Sequence, residues 1–274
     1  MTPQPVERLE KTLARVAKEQ GLAQERLRRW VSFLALCGVL ERAVSEGVLD
    51  NYYLKGGAAM ELRFAEGARA TKDIDIGVTG ERVARLALFQ NALALGFDDF
   101  SFRLKGKPLN MEKVDAVRLE LAIQYRTRAW QTIDVDLGAA GTGVVDLVEP
   151  KIRGLSAMGL RTPSPVRCLN LSEQVAQKLH ACTGPYSQGR ARDVLDILLI
   201  DMLGKLDVMV VRAAVEQVFT QRATHDFPPT IRISAEWKPE LEILAKELGY
   251  PVTSAAEIEA RFRTFVNAVA RAVE

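Results

Sequence analysis

Lys55-Gly56-Gly57 and, one short helix later, Asp73-Ile74-Asp75-Ile76-Gly77-Val78 are the two segments that predict the fold of this chain. In the second segment, apolar Ile and Val alternate with Asp and Gly, which is the period of a half-buried β-strand. Side chains two positions apart on a strand point to the same face. We therefore expect Asp73 and Asp75 to project together while the isoleucines enter the core.

A second acidic strand follows in Ile133-Asp134-Val135-Asp136-Leu137. Carboxylates held close together repel each other unless a cation lies between them, and Mg²⁺, which takes oxygen ligands, suits that position. Two such strands side by side would gather enough carboxylates for a two-metal phosphoryl-transfer site. The alternative is a solvent-facing strand edge that carries aspartates. Aspartate is disfavoured in strands, and its repeated D-x-D spacing speaks against that alternative.

The Lys55-Gly56-Gly57 turn lies between a predicted strand and a predicted helix. Paired glycines let the backbone approach a ligand closely, and a helix N-terminus favours an anion such as phosphate. An ordinary tight turn is the alternative, and the spacing of a Walker P-loop is absent. Between the turn and the first acidic strand, Arg69 could bind phosphates, and the Thr71 hydroxyl could contact phosphate or metal.

Composition excludes several classes of protein. The chain has 274 residues, a net charge of +2, three cysteines and two histidines, so neither a disulfide framework nor a structural zinc site is expected. The apolar run Val31 to Leu40 is about half of the ~20 residues that a membrane span needs. No signal peptide is apparent. These features predict a buried helix in a cytoplasmic protein without a membrane partner.

Periodicity predicts an α/β (α+β) fold in three parts. Residues 1–48 are N-terminal helices packing on the core, residues 49–150 form a mixed α/β core domain, and residues 151–274 form a helical C-terminal domain. A Gly-rich stretch after Gly138, with Pro150, Pro163 and Pro165, predicts the boundary. The predicted strands are 52–54, 73–78, 100–104, 116–125 and 130–137; the predicted helices from Leu171 onward are 171–183, 191–203, 207–221, 237–248 and 255–272.

Two blocks of sequence resemble a known family. The first block is similar to nucleotidyltransferases of the DNA polymerase β-like superfamily. It has a Gly-Gly turn, a short helix and then Arg69-Ala70-Thr71-Lys72-Asp73-Ile74-Asp75. Within that superfamily, Lys55 to Leu62 resembles the opening segment of the AbiEii/AbiGii toxin family, which includes the MenT toxins. A second block agrees: Glu173 to Ala181 resembles E-x-x-x-x-K-L-x-A, and Arg190 to Ile197 resembles R-x-K-D-x-x-D-L. The resemblance covers roughly residues 50–200.

The resemblance implies a nucleotidyltransferase fold with a mixed sheet and a Mg²⁺-dependent enzyme, with Mn²⁺ as a substitute, that uses an NTP. Its implied catalytic residues are Asp73, Asp75, Lys178 and Asp193. Matching the glycine after the second acidic strand favours Asp136 as a third metal ligand, with Asp134 as the alternate. The expected nucleotide-binding residues are Lys55, Gly56, Gly57, Arg69, Thr71 and Lys178.

Asp193 shares a helix face with Ile197 and Ile200, which predicts a partly buried carboxylate in need of a cation. Lys178, on the preceding helix, is the obvious partner. A purely structural ion pair is the alternative to a catalytic role for these two residues.

The family also implies an acceptor and a partner. The expected acceptor is a tRNA 3′ end, whose extension would block translation, and basic residues such as Arg103 and Lys105 could follow an RNA backbone. The expected partner is an antitoxin encoded nearby, which need not bind the toxin. Alternative functions are transfer to a protein or small molecule, or nucleotide binding without catalysis on the same fold.

Overall fold

The computed structural model describes residues 5–111, 115–141, 143–152, 158–163 and 165–272. The chain forms two compact units: Met1–Ala65 with Ala70–Cys168, and Glu66–Arg69 with Leu169–Glu274. The predicted domain boundary lies between residues 150 and 151. Residues 153–157 and 164, in the same stretch, lie outside the described residues. The first unit continues to Cys168 because the strand that contains Cys168 pairs with the first strand of its sheet.

The first unit contains helices α1–α4 and strands β1–β7. In chain order they are α1 (Pro5–Gln20), α2 (Gln24–Ser45), β1 (Tyr52–Lys55), α3 (Gly56–Phe64), β2 (Asp73–Val78), α4 (Arg82–Ala94), β3 (Phe100–Met111), β4 (Ala116–Tyr125), β5 (Arg128–Ala139), β6 (Val145–Val148) and β7 (Val166–Leu169). The strands form one mixed sheet in the order β3-β4-β5-β2-β1-β7-β6. The expected α/β fold with a mixed sheet is confirmed.

Strands β3, β6 and β7 differ from the sequence prediction. Strands β6 and β7 lie in the Gly- and Pro-rich stretch that predicted the domain boundary, and both are only four residues long. Strand β3 continues to Met111, well beyond the predicted end at Leu104, through a register shift between Lys105 and Leu109. Gly106 and Pro108 hide this extension from a pattern search, because both residues are typical of turns.

Strands β4 and β5 have an apolar face and a polar face, and so does the first part of β2. On β2, Ile74, Ile76 and Val78 are buried, as the alternation predicted. Helices α2 and α4 both contact β5, and α4 also contacts β3 and β4. The run Val31 to Leu40 is buried throughout, which confirms the prediction of a buried helix. Among the described helices, none is both long and apolar enough to cross a membrane.

The second unit is helical, as predicted. It contains α5 (Leu171–Thr183), α6 (Ala191–Gly204), α7 (Val208–Arg222), α8 (Lys238–Glu247) and α9 (Ala255–Arg271). The Asn170 side chain accepts a hydrogen bond from the backbone N–H of Ser172 (2.8 Å) and caps the start of α5, as its sequence position suggested. Helix α5 packs against α6 and α7, and α9 contacts α6, α7 and α8.

Glu61, on α3, is a buried carboxylate that joins three segments of the first unit. It accepts hydrogen bonds from Arg26 Nε (2.8 Å) and Trp30 Nε1 (2.9 Å) on α2. Its other oxygen accepts from the backbone N–H of Thr71 (3.1 Å), two residues before β2. A buried acceptor with several donors is costly to remove, because the donors lose their partner without regaining water.

We predict that Glu61→Gln lowers the free energy of unfolding by about 2 kcal/mol, because the amide offers one acceptor and faces three donors. Urea unfolding followed by tryptophan fluorescence measures this loss. As a control, Arg15→Ala removes an exposed pair with Glu19 and should cost no more than about 0.5 kcal/mol. Equal losses in the two variants would contradict a bridging role for Glu61.

The two histidines of the chain lie together in the second unit, with ring centroids 4.7 Å apart. Thr224 Oγ1 lies 2.9 Å from Nε2 of His180 and 3.0 Å from Nδ1 of His225. Burial, together with the charges of Arg222 and His225, lowers the pKa of His180 to about 4. His180 is therefore neutral in the folded protein at neutral pH.

Because the folded pKa of His180 lies below the unfolded value of 6.5, the unfolded chain binds more protons between these two values. We expect the stability to be complete above about pH 6.5 and to fall as the pH drops towards 4. His180→Asn should flatten this dependence. Urea midpoints of wild type and variant at pH 7.5 and at pH 5 measure the effect, and parallel pH dependences would show that His180 does not cause it.

Candidate active site

The two acidic strands lie side by side, as expected. Strands β2 and β5 are parallel, and their register pairs Asp73 with Asp134 and Asp75 with Asp136. Because paired positions of neighbouring strands point to the same side of a sheet, all four carboxylates share the polar face. Asp134 is exposed, and the other three are partly buried. We call these four residues the acidic face.

Thr71 orients the first of these carboxylates. Its hydroxyl donates to Asp73 Oδ1 (2.7 Å), while its backbone N–H is held by Glu61. The Thr71 side chain is buried against Gly57, where a Cβ would lie 2.8 Å from both Cβ and Oγ1 of Thr71. A chain of contacts therefore runs from the buried Glu61 to the carboxylate of Asp73.

Gly56 packs directly against Asp75. It is the first residue of α3 and has φ +65°, and a Cβ at this position would lie 2.1 Å from Oδ2 of Asp75. A side chain would therefore displace the carboxylate, and the left-handed backbone itself favours glycine. Asp75 lies at the N-terminus of α3, where the helix dipole stabilises negative charge. Phosphate binding by the glycine pair stays a prediction; in the structure Gly56 makes room for Asp75 and Gly57 makes room for Thr71.

Two cations flank the acidic face. Lys55, on β1, pairs in register with Asp75, and its Nζ lies 3.4 Å from where a Cβ of Gly138 on β5 would be. On the other side, Arg118 of β4 pairs in register with Asp136. Its Nε and Nη2 donate to the two oxygens of Asp136 at 2.7 and 2.6 Å. The hydrogen bond and charge of Asp136 raise the pKa of Arg118, so this residue is a permanent cation.

We did not predict Arg118 as a site residue from the sequence, although it lies beside the predicted third metal ligand. Its partner lies 18 residues away on the next strand, and only the register of β4 and β5 brings them together. Nothing in Ala116 to Tyr125 marks this arginine as different from other exposed cations of the chain.

The acidic face fits a hard divalent cation. Asp73 and Asp75 offer carboxylate oxygens from one face of one strand, and Mg²⁺ usually takes one or two protein carboxylates together with substrate phosphates. Within the described residues, no group of three or more His, Cys, Asp or Glu side chains is placed to hold a metal ion. Asp73 and Asp75 are therefore a two-carboxylate set, with Asp136 on the same face but bound by Arg118.

The other predicted site residues form a separate cluster in the second unit. Lys178 Nζ donates to Asp193 Oδ1 (2.9 Å) and to Asp196 Oδ2 (2.8 Å). Arg69 donates to both oxygens of Asp196 through Nε (3.0 and 3.3 Å) and through Nη2 (3.1 Å). The predicted pairing of Lys178 with Asp193 is confirmed. The pairing of Arg69, which was expected to bind phosphate, with Asp196 was not foreseen.

Charges in this cluster are strongly coupled. Burial alone would lower the pKa of Lys178, but the charges of Asp196 and Asp193 outweigh burial and raise it. Burial would likewise raise the pKa of Asp196, but Lys178 and Arg69 outweigh it and hold that pKa low. Both groups therefore stay ionised, as a buried pair with good geometry requires.

The solved structure of MenT4, a nucleotidyltransferase toxin from Mycobacterium tuberculosis H37Rv, is similar with a TM-score of 0.65. It shares 16% sequence identity, and the match covers 96% of this chain and 90% of that one. Two structures of the antibiotic-resistance factor ANT(2'')-Ia, one in complex with adenylyl-2''-tobramycin, match with TM-scores of 0.42. They are 18% and 16% identical, and the matches cover 70% of this chain and 94% and 99% of those chains.

A search of curated proteins finds no match. The family model described as "Nucleotidyl transferase AbiEii toxin, Type IV TA system" matches residues 38–271. This range includes the acidic face, the glycine turn and the Lys178 cluster. The chain belongs to the AbiEii family of nucleotidyltransferase toxins.

Proposed function

We propose that this nucleotidyltransferase transfers a nucleotide from an NTP to the 3′ end of tRNA and so blocks translation. The observation that carries the proposal is the register of β2 and β5, which puts Asp73 and Asp75 on one face with the second acidic pair beside them. Asp73 and Asp75 would hold a divalent cation, Mg²⁺ or Mn²⁺, with Asp136 as a third ligand and Asp134 as its alternate. When bound, the metal would neutralise the phosphate oxygens and orient them.

The protein's own part in the reaction is positioning and charge. The acceptor hydroxyl attacks the α-phosphorus in line, and pyrophosphate leaves. Thr71 and Gly56 fix the carboxylates of Asp73 and Asp75, so that no reorganisation is needed when the triphosphate arrives. Lys55 pairs in register with Asp75, and its ammonium would bind phosphate oxygens beside the carboxylates.

An RNA acceptor is supported by the resemblance to AbiEii toxins and by the outer strand of the sheet. Arg103 and Lys105 on β3 are exposed, and their register with β4 puts them on the same side as the acidic face. Cations in this place can follow a phosphate backbone towards the site.

A type IV system implies a cognate antitoxin; we propose that it is encoded nearby and need not bind the toxin. Since NTPs and tRNA are cytoplasmic, the protein would act there.

The acceptor is tested by incubating the purified protein with each α-labelled NTP, MgCl₂ and total RNA. We expect label in RNA of tRNA size, with loss of the signal when EDTA removes the metal. Asp73→Asn should reduce transfer by a factor of about 10³ or more, because it removes charge that the metal site needs. Asp50→Asn, the same chemical change at an exposed position before β1, should leave transfer unchanged.

Each other result of this labelling experiment has a defined meaning. If the label appears in the protein or in a small molecule, that molecule is the acceptor and the tRNA proposal is wrong. If no acceptor is labelled with any NTP, the protein would be a nucleotide-binding protein without transferase activity. Transfer by Asp73→Asn at the wild-type rate would refute the acidic face as the reaction centre.

We further propose that Lys178 contacts the nucleotide phosphates, with Asp193 holding it in place. An ammonium has three N–H donors, and the two carboxylates of the cluster accept two of them. The third donor can bind an anion. Burial alone would lower the pKa of Lys178, but the charges of Asp196 and Asp193 raise it and keep this lysine protonated, which phosphate binding requires.

Lys178→Arg separates this role from a purely structural one. The variant keeps the positive charge beside Asp193 and Asp196 but replaces a point charge by a planar fork. We expect the KM for the NTP to rise about tenfold or more, while the melting temperature stays close to that of the wild type. An unchanged KM would show that Lys178 has a structural role only, in its two ion pairs.

A further inference from the structure

Arg118 holds the predicted third metal ligand in a two-pronged ion pair. Both oxygens of Asp136 accept from the guanidinium, at 2.7 and 2.6 Å, in the fork geometry that makes arginine–carboxylate pairs strong and specific. The side chain of Asp136 is 15% exposed and that of Arg118 is 47% exposed. The pair is therefore more open to solvent and solutes at Arg118 than at Asp136.

The position of Arg118 also matters for the rest of the acidic face. Besides Asp136, the charges of Asp73 and Asp134 act on its guanidinium. One permanent positive charge thus offsets part of the repulsion among four carboxylates. The same charge repels any divalent cation that approaches Asp136, because like charges a few ångströms apart interact by several times RT even at a partly screened surface.

We propose that Arg118 is an internal counter-ion that competes with the divalent metal for Asp136 until a nucleotide arrives. This inference rests on the proposed function. A triphosphate brings anionic oxygens that match the guanidinium fork as well as a carboxylate does. Arg118 can then transfer from Asp136 to phosphate, and Asp136 becomes available to the metal. The site would therefore take up metal and nucleotide together and would hold the metal weakly without a nucleotide.

Metal binding without a nucleotide tests the inference. Binding of Mn²⁺ to the full-length protein is measured by the loss of the EPR signal of free Mn²⁺. We expect Arg118→Met to bind Mn²⁺ about tenfold more tightly than wild type, because the repulsion is removed. Arg118→Lys, which keeps the charge, should bind Mn²⁺ as weakly as wild type. Adding Asp136→Asn to Arg118→Met should cancel the gain, since the gain acts through Asp136.

Arg103→Met is the matched control. It makes the same chemical change on the same side of the sheet, at an exposed position of the outer strand β3. We expect its affinity for Mn²⁺ to stay within about twofold of wild type, because most of the interaction at this distance is screened. Circular dichroism and melting curves of all variants check that the fold is kept, and Arg118→Gln serves if Arg118→Met does not fold.

The outcomes separate this inference from the proposed function. Equal Mn²⁺ affinity of wild type and Arg118→Met, in a protein that transfers nucleotides, would overturn the inference alone. Weaker binding by Arg118→Met would also overturn it and would make Arg118 a residue that orients Asp136 for the metal. If no variant binds Mn²⁺, even with a non-hydrolysable NTP analogue present, the proposed metal-dependent function fails as well.

Discussion

Like charges repel, and the register of β2 and β5 confines four carboxylates to one face of two hydrogen-bonded strands. The rest of the first unit is arranged around this constraint. The opposite face is apolar and buried against helices, so the carboxylates cannot turn inward. Their charge is offset by a helix N-terminus at Asp75, a hydroxyl at Asp73 and the guanidinium of Arg118 at Asp136. What is left is a negative surface suited to a divalent cation.

Holding the carboxylates in place depends on buried polar groups behind them. Glu61 ties α2, α3 and the segment before β2 together, and Thr71 carries that connection to Asp73. Gly56 allows α3 to begin against Asp75 without a side chain in between. These contacts fix the carboxylates of Asp73 and Asp75 before any substrate binds. Their contribution is preorganisation, since a site that is already shaped spends no binding energy on rearrangement.

The second unit solves a different electrostatic problem. Lys178, Arg69, Asp193 and Asp196 are joined in one cluster, in which Asp196 is fully buried and accepts from both cations. Removing one member would leave an uncompensated charge, so the cluster constrains the fold as well as any function. A structural and a catalytic reading of Lys178 are therefore compatible, because two of its three donors serve the fold.

The sequence by itself determined what depends on neighbours along the chain. Alternation gave the acidic strands, helical spacing gave the helices from Leu171 onward, and two motif blocks gave the family. Strands β6 and β7 are too short to show a pattern in the sequence. Strand β7 pairs with β1, which lies more than a hundred residues away in the chain. The tertiary structure alone decided which charges meet. Arg69 reaches Asp196 across 127 residues and Arg118 reaches Asp136 across a strand pair, and no local pattern encodes such contacts.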